Sequence, residues 1–185
     1  MHNLLNRFQN YSLKAPLIFF AIFTIIAFLS MRAFMEPLIT SEAPGGIISF
    51  ELAKTLEQSQ AILSSWDTSA KINAGISLGI DFLFLFFYGF LFALACFSVA
   101  KKFKNNIEWF YKLGIYLAFL QLIAALFDAI ENIALIKLLL GSNNEIHSSI
   151  AFYFASMKFA IIVIGIIYII IGLFTSLYQK GLKSE

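Results

Sequence analysis

Residues 113–140 read LGIYLAFLQLIAALFDAIENIALIKLLL. About 20 mostly apolar residues in a helix cross the roughly 30 Å hydrocarbon core of a bilayer, and this stretch is longer than that. It nevertheless carries Asp128, Glu131 and Asn132 within about one helical turn. Residues three and four apart on a helix share a face, so the three project into one sector. Ionisable side chains inside an apolar span are costly and are kept where they pair or act.

The rest of the chain has the same character. Of its 185 residues 60% are hydrophobic and 13% charged, and its mean hydropathy is +0.84. A soluble domain is about 45–50% apolar and about 25% charged. A chain this size has too little interior to hide that surplus, so apolar side chains face lipid. The net charge is +2 with no long basic block, which argues against a nucleic-acid partner. Cys96 is the only cysteine, so no intrachain disulfide forms; within FALACFSVA it reads as a small packing residue.

Four spans are expected, at about 15–37, 74–100, 113–140 and 148–178. The first follows Arg7 and Lys14 as a signal peptide would. Its apolar run is longer than a usual signal core, and Pro44 follows the small-residue site Ser41-Glu42-Ala43, so it reads as a retained span. Lysine and arginine mark the cytoplasmic side. Arg7, Lys14, Lys101, Lys102, Lys104, Lys112, Lys180 and Lys183 flank one side, whereas the loop 141–149 has neither residue. Both termini are therefore expected in the cytoplasm, with segments 38–73 and 141–149 outside. Trp109, Tyr111 and Tyr178 suit interfacial anchors. The expected fold is an all-α, four-helix antiparallel membrane bundle of the inner or plasma membrane, forming a single domain.

Helical rise, about 1.5 Å per residue, sets depths from the cytoplasmic lysines. Arg32 comes out about 27 Å up, Asp81 about 30 Å, Asp128 about 24 Å, Glu131 about 28 Å and Lys158 about 33 Å. All four spans thus contribute to one polar layer near the outer boundary. Beyond it the helices continue as apolar ends that need cover. The expected cover is an extracytoplasmic amphipathic helix at about 47–66, with Ile48, Leu52, Leu56, Ser59, Leu63 and Trp66 on one stripe and Glu51, Lys54 and Gln58 on the other face.

Within the bundle, Gly114, Ala118, Gln121, Ala125, Asp128 and Asn132 share the face expected to point inward. On span two, Ser77, Asp81 and Tyr88 share a face, and Gly75-x-x-x-Gly79 is a weak packing signal. The candidate ligand-binding residues are Asp81, Tyr88, Asp128, Glu131, Asn132, Lys158, Arg32 and Glu51. Lys158 is expected to pair with Asp128 or Glu131, and Arg32 with Asp81. No metal site or cofactor is expected: the histidines are His2 and His147 alone, and no H-E-x-x-H, C-x-x-C, P-loop or G-x-S-x-G motif occurs.

Three functions fit these residues. The layer binds a lipid headgroup, a small amphiphile or a partner's transmembrane helix, its acidic excess favouring a cationic or hydroxyl-rich group. Alternatively, the chain is an enzyme on a lipid-linked substrate, with Asp128, Glu131 or Asp81 as the catalytic acid or base and Lys158 steadying an anion. Or the layer only fixes helix register in a structural subunit. The expected partners are membrane lipids and a partner membrane protein or a second copy of the chain.

Overall fold

The computed structural model describes residues 12–181, with side chains as far as Tyr178. His2, Arg7, Lys183 and the side chain of Lys180 lie outside the described residues. All regular structure within them is helical. In order come α1 (Lys14–Arg32), a 3₁₀ turn (Glu36–Leu38), α2 (Ile47–Glu51), α3 (Leu56–Ser65), α4 (Thr68–Phe103), α5 (Glu108–Leu139) and α6 (Glu145–Gly181). Four of them, α1, α4, α5 and α6, are long and apolar enough to cross a membrane.

The local chemistry explains the boundaries. Asp67 caps α4, its carboxylate accepting from Ala70 N at 2.7 Å, the usual service of an aspartate before a helix. Leu138 and Lys137 carbonyls close α5 by accepting from Gly141 N and Ser142 N, and Gly141 has φ +94°. That pairing is the Schellman stop, which favours glycine at the left-handed position. At 36, 32 and 37 residues, α4, α5 and α6 run about 54, 48 and 56 Å. Each is longer than the roughly 30 Å bilayer core is thick.

Helix α4 is the hub: α1, α5 and α6 all pack on it, and α5 also packs on α6. The outlier is α1, whose only buried residue is Ala27. It touches α4 through a ladder of rings: Phe20 on Phe90 at 5.3 Å, Phe23 on Phe87 at 5.0 Å and Phe28 on Phe84 at 6.2 Å between centroids. The α4–α5 approach is close at Gly89, where an added Cβ would fall 2.8 Å from that of Ala125. Near the opposite end, Gly114 is covered by the Tyr168 ring and by Ala100. The expected Gly75/Gly79 packing site is not used this way: Gly79 faces open space, and a Cβ on Gly75 would meet only Leu139 at ordinary contact distance.

Two apolar clusters fill the bundle. One lies at the cap end and joins Leu38, Ile47, Phe50, Ile62 and Trp66 to Ala70, Ala74, Leu78, Leu135, Leu138 and Ala151. The other groups Cys96, Val99, Phe103, Phe110, Leu117 and Tyr168 at the far end, where Tyr168 OH donates to Phe110 O at 3.0 Å. The helix ends beside the cap thus receive their cover from segment 38–66.

That cover differs from expectation. Instead of one helix over 47–66 there are two, broken at Leu52–Thr55. Thr55 and Gln58 form a reciprocal capping box that starts α3 afresh, satisfying two backbone donors that a continuous helix would have paired internally. The break also rotates the faces. Ile47, Phe50 and Glu51 turn inward, while Ile48 and Leu52 are exposed. The cap is pinned by Trp66 Nε1 donating to Leu38 O at 3.0 Å, by Ser59 Oγ donating to Ser148 Oγ at 3.0 Å and by Gln60 Nε2 donating to Asn143 Oδ1 at 3.0 Å. The first span is also shorter than expected: α1 stops at Arg32, and the chain turns through the 3₁₀ segment containing Pro37, which has no N–H to continue a helix.

Candidate functional site

Between the two apolar clusters lies a layer of buried polar side chains. Helix α4 supplies Asp81 and Tyr88, α5 supplies Asp128, Glu131 and Asn132, α6 supplies Lys158, and α2 adds Glu51 from the cap. Every one is buried, with Glu131 and Asn132 at 0% exposure and Glu51 the most exposed at 8%.

Lys158 is the centre of one half. Its Nζ donates to Asp128 Oδ1 at 2.5 Å, stands 2.9 Å from Glu131 Oε2 and 3.6 Å from Glu51 Oε2. The Glu131 contact is an ion pair lying outside hydrogen-bond alignment. Tyr88 OH donates to the second oxygen of Asp128 at 2.8 Å, so that carboxylate is held from two helices. The Lys158 ammonium also lies 5.0 Å from the centre of the Phe159 ring, a cation–π distance. Burial pushes the Glu51 carboxyl above its ordinary value of 4.5, opposed by the nearby Lys158 charge.

Asp81 is the centre of the other half. It accepts from Asn132 Nδ2 at 2.5 Å. The expected Arg32–Asp81 pair does not form: Arg32, exposed at the end of α1, makes no ion pair among the described residues. Asp81 faces α5, and Asn132 takes the place the arginine was expected to fill. Glu51 is the converse case. Its expected position on the polar face of a surface helix is replaced by an inward one, because the break after it rotates α2.

The layer holds four carboxyls and one ammonium. Three of the carboxyls, Glu51, Asp128 and Glu131, stand around the single buried ammonium of Lys158, and the fourth, Asp81, makes no ion pair with it. Excess buried negative charge is costly unless protons or a cation offset it. Several of its oxygens also make no hydrogen bond to the protein: Glu131 Oε1, Asn132 Oδ1 and Ser77 Oγ. Ser77 lies outside the expected site residues, although its one-turn spacing puts it on the Asp81 face. Among the described residues, no three His, Cys, Asp or Glu side chains are grouped to hold a metal ion. A shallow groove of about 380 Å³ on the cap, between Glu42, Ser49, Leu52 and Gln58, includes none of the layer's charged residues.

No protein-family model, curated protein or solved structure matches the chain. The functional reading therefore rests on the layer itself.

Proposed function

We propose that the chain is an integral protein of the inner or plasma membrane whose polar layer binds the cationic or hydroxyl-rich part of a lipid headgroup or small amphiphile at the outer leaflet. In this reading the four long helices form an antiparallel bundle with both termini cytoplasmic, and the cap formed by α2 and α3 lies outside. The ring ladder between α1 and α4 supports the antiparallel course, since one residue number rises as the other falls. The basic residues flanking one side support the direction.

The observation that carries the binding reading is the mismatch within the layer. Three carboxyls stand around one ammonium and a fourth, Asp81, has none, and buried oxygens remain without donors. A network built only to fix register would be expected to satisfy its own members. The aliphatic and aromatic surface of the helices suits an acyl chain alongside.

The test is extraction in polymer nanodiscs with native lipids, followed by lipid mass spectrometry of wild type and Asp128→Asn/Glu131→Gln. A lipid or amphiphile enriched over the bulk membrane with wild type, and lost from a variant that keeps its helical circular dichroism, is the expected result. A bulk-like lipid profile around wild type contradicts the reading.

A further inference from the structure

The layer has two halves with the same acceptor-rich chemistry and unequal partners. In the first, carboxylates of Asp128, Glu131 and Glu51 surround the primary ammonium of Lys158. In the second, Asp81 is fixed by Asn132 Nδ2, and the oxygen of that same amide makes no hydrogen bond to the protein. One turn along α4, Ser77 Oγ is likewise without a partner, and both Ser77 and Asn132 are at 0% exposure. A carboxylate, an amide oxygen and a hydroxyl together lack a positively charged group with several N–H donors. A primary ammonium has three such donors; a trimethylammonium carries the charge and none of them.

Arg32 adds an independent feature. Phe28 packs on Phe84; one turn onward from Phe28 is Arg32, and one turn back from Phe84 is the level of Ile80 and Asp81. The arginine thus ends α1 at the height of the Asp81 half, without an ion pair among the described residues. A guanidinium at that height suits a phosphate.

We infer that Asp81, Asn132 and Ser77 form a subsite for the primary ammonium of a zwitterionic lipid headgroup, with Arg32 at the same level for its phosphate. The inference rests on the proposed headgroup-binding function and names the headgroup: an aminoethyl phosphate, in which ammonium and phosphate are separated by two carbons. Lys158 is the internal precedent for a buried primary ammonium in this layer, held there by three carboxyls.

The experiment is thermal unfolding of the purified full chain in nanodiscs of phosphatidylcholine alone and with increasing phosphatidylethanolamine. A ligand bound by the folded state alone raises the midpoint as its concentration rises. Wild type is expected to show that rise with phosphatidylethanolamine, less with its N-methyl and N,N-dimethyl forms. Asp81→Asn is expected to weaken the apparent affinity by about tenfold or more, the scale of a hydrogen bond to a charged group. Ser77→Ala, which removes one hydroxyl and leaves the carboxylate, tests the subsite if Asp81→Asn fails to fold, and is expected to flatten the dependence in part. Equal midpoints in the two lipids overturn the inference, as does a preference that survives both substitutions. Full stabilisation by free ethanolamine in lipid-free detergent keeps the ammonium subsite and overturns the lipid as its source. A different molecule enriched from native membranes, with no preference for amine lipids, overturns the inference while leaving the proposed function standing.

Discussion

Lys158 on α6 and Asp128 on α5 meet through Nζ and Oδ1 at 2.5 Å, and the second oxygen of Asp128 accepts from Tyr88 on α4. Three long helices are therefore tied through one carboxylate. Asp128→Asn leaves the Lys158 ammonium with fewer charges to answer it inside the bundle. Breaking one partner of a buried pair costs about 3–5 kcal/mol, whereas replacing both with apolar groups is often near neutral. In detergent, thermal unfolding of Lys158→Met, which leaves Asp128, Glu131 and Glu51 without their ammonium, should show a loss of at least that order, and Asp128→Asn/Lys158→Met, which removes one of those carboxylates, should recover part of it. A double variant as damaged as the sum of the singles would show that the pair is not coupled.

Glu51 ties the cap to the layer, and its behaviour with pH follows from burial. Its carboxyl is held above 4.5 in the folded chain, so folding favours its protonated form. The stability it contributes is full below its unfolded value and is lost as pH rises through the folded one. Facing it are Lys158 from α6, which opposes the shift, and Asp128 and Glu131 from α5, the former adding to it. Raising pH from about 4.5 should loosen the cap. Trp66, buried against Phe50, reports this in a Trp109→Phe background as a red shift of emission, and Glu51→Gln should abolish the trend. An emission maximum independent of pH in the parent, or a trend unchanged by Glu51→Gln, would contradict it.

The glycines separate packing from spacing. Gly114→Ala places a methyl against Tyr168 and Ala100 and should cost about 1–3 kcal/mol, the usual range for overpacking. Gly79→Ala meets open space and should be neutral or stabilising by up to about 1 kcal/mol through helix propensity. Unfolding midpoints of the two variants in the same detergent give the comparison. A destabilised Gly79→Ala would point instead to an interface at that face.

Much of this was legible in the residues, and the exceptions have physical causes. The apolar runs are so long that the four long helices could not be missed, and three- and four-residue spacing put Asp128, Glu131 and Asn132 in one sector of α5. Helical rise from the flanking lysines placed Lys158 at their height, and the structure brings it to them. The cap was less legible because its apolar residues fit a single continuous stripe. The capping box of Thr55 and Gln58 is local hydrogen bonding, invisible to periodicity, and it accompanies the break that follows the inward-facing Glu51. Height and charge alone match Arg32 to Asp81. Height says nothing of rotation about the helix axis, and Asp81 faces α5 rather than α1.

Orientation has its own reporter. A cysteine introduced at Ser142, with Cys96→Ala, lies in the loop between α5 and α6 beside the cap. It should react with an impermeant thiol reagent in intact cells. Reaction only after permeabilisation would put the cap and the layer on the cytoplasmic side.

The central claim is that the layer holds a ligand, and the most direct measurement is the intact mass of the protein released from native-lipid nanodiscs under non-dissociating conditions. The account predicts one additional amphiphile per chain, shed on collisional activation and missing from Asp128→Asn/Glu131→Gln. A folded wild-type chain that flies at its bare mass, or with the same mixture of lipids as the double variant, would contradict it.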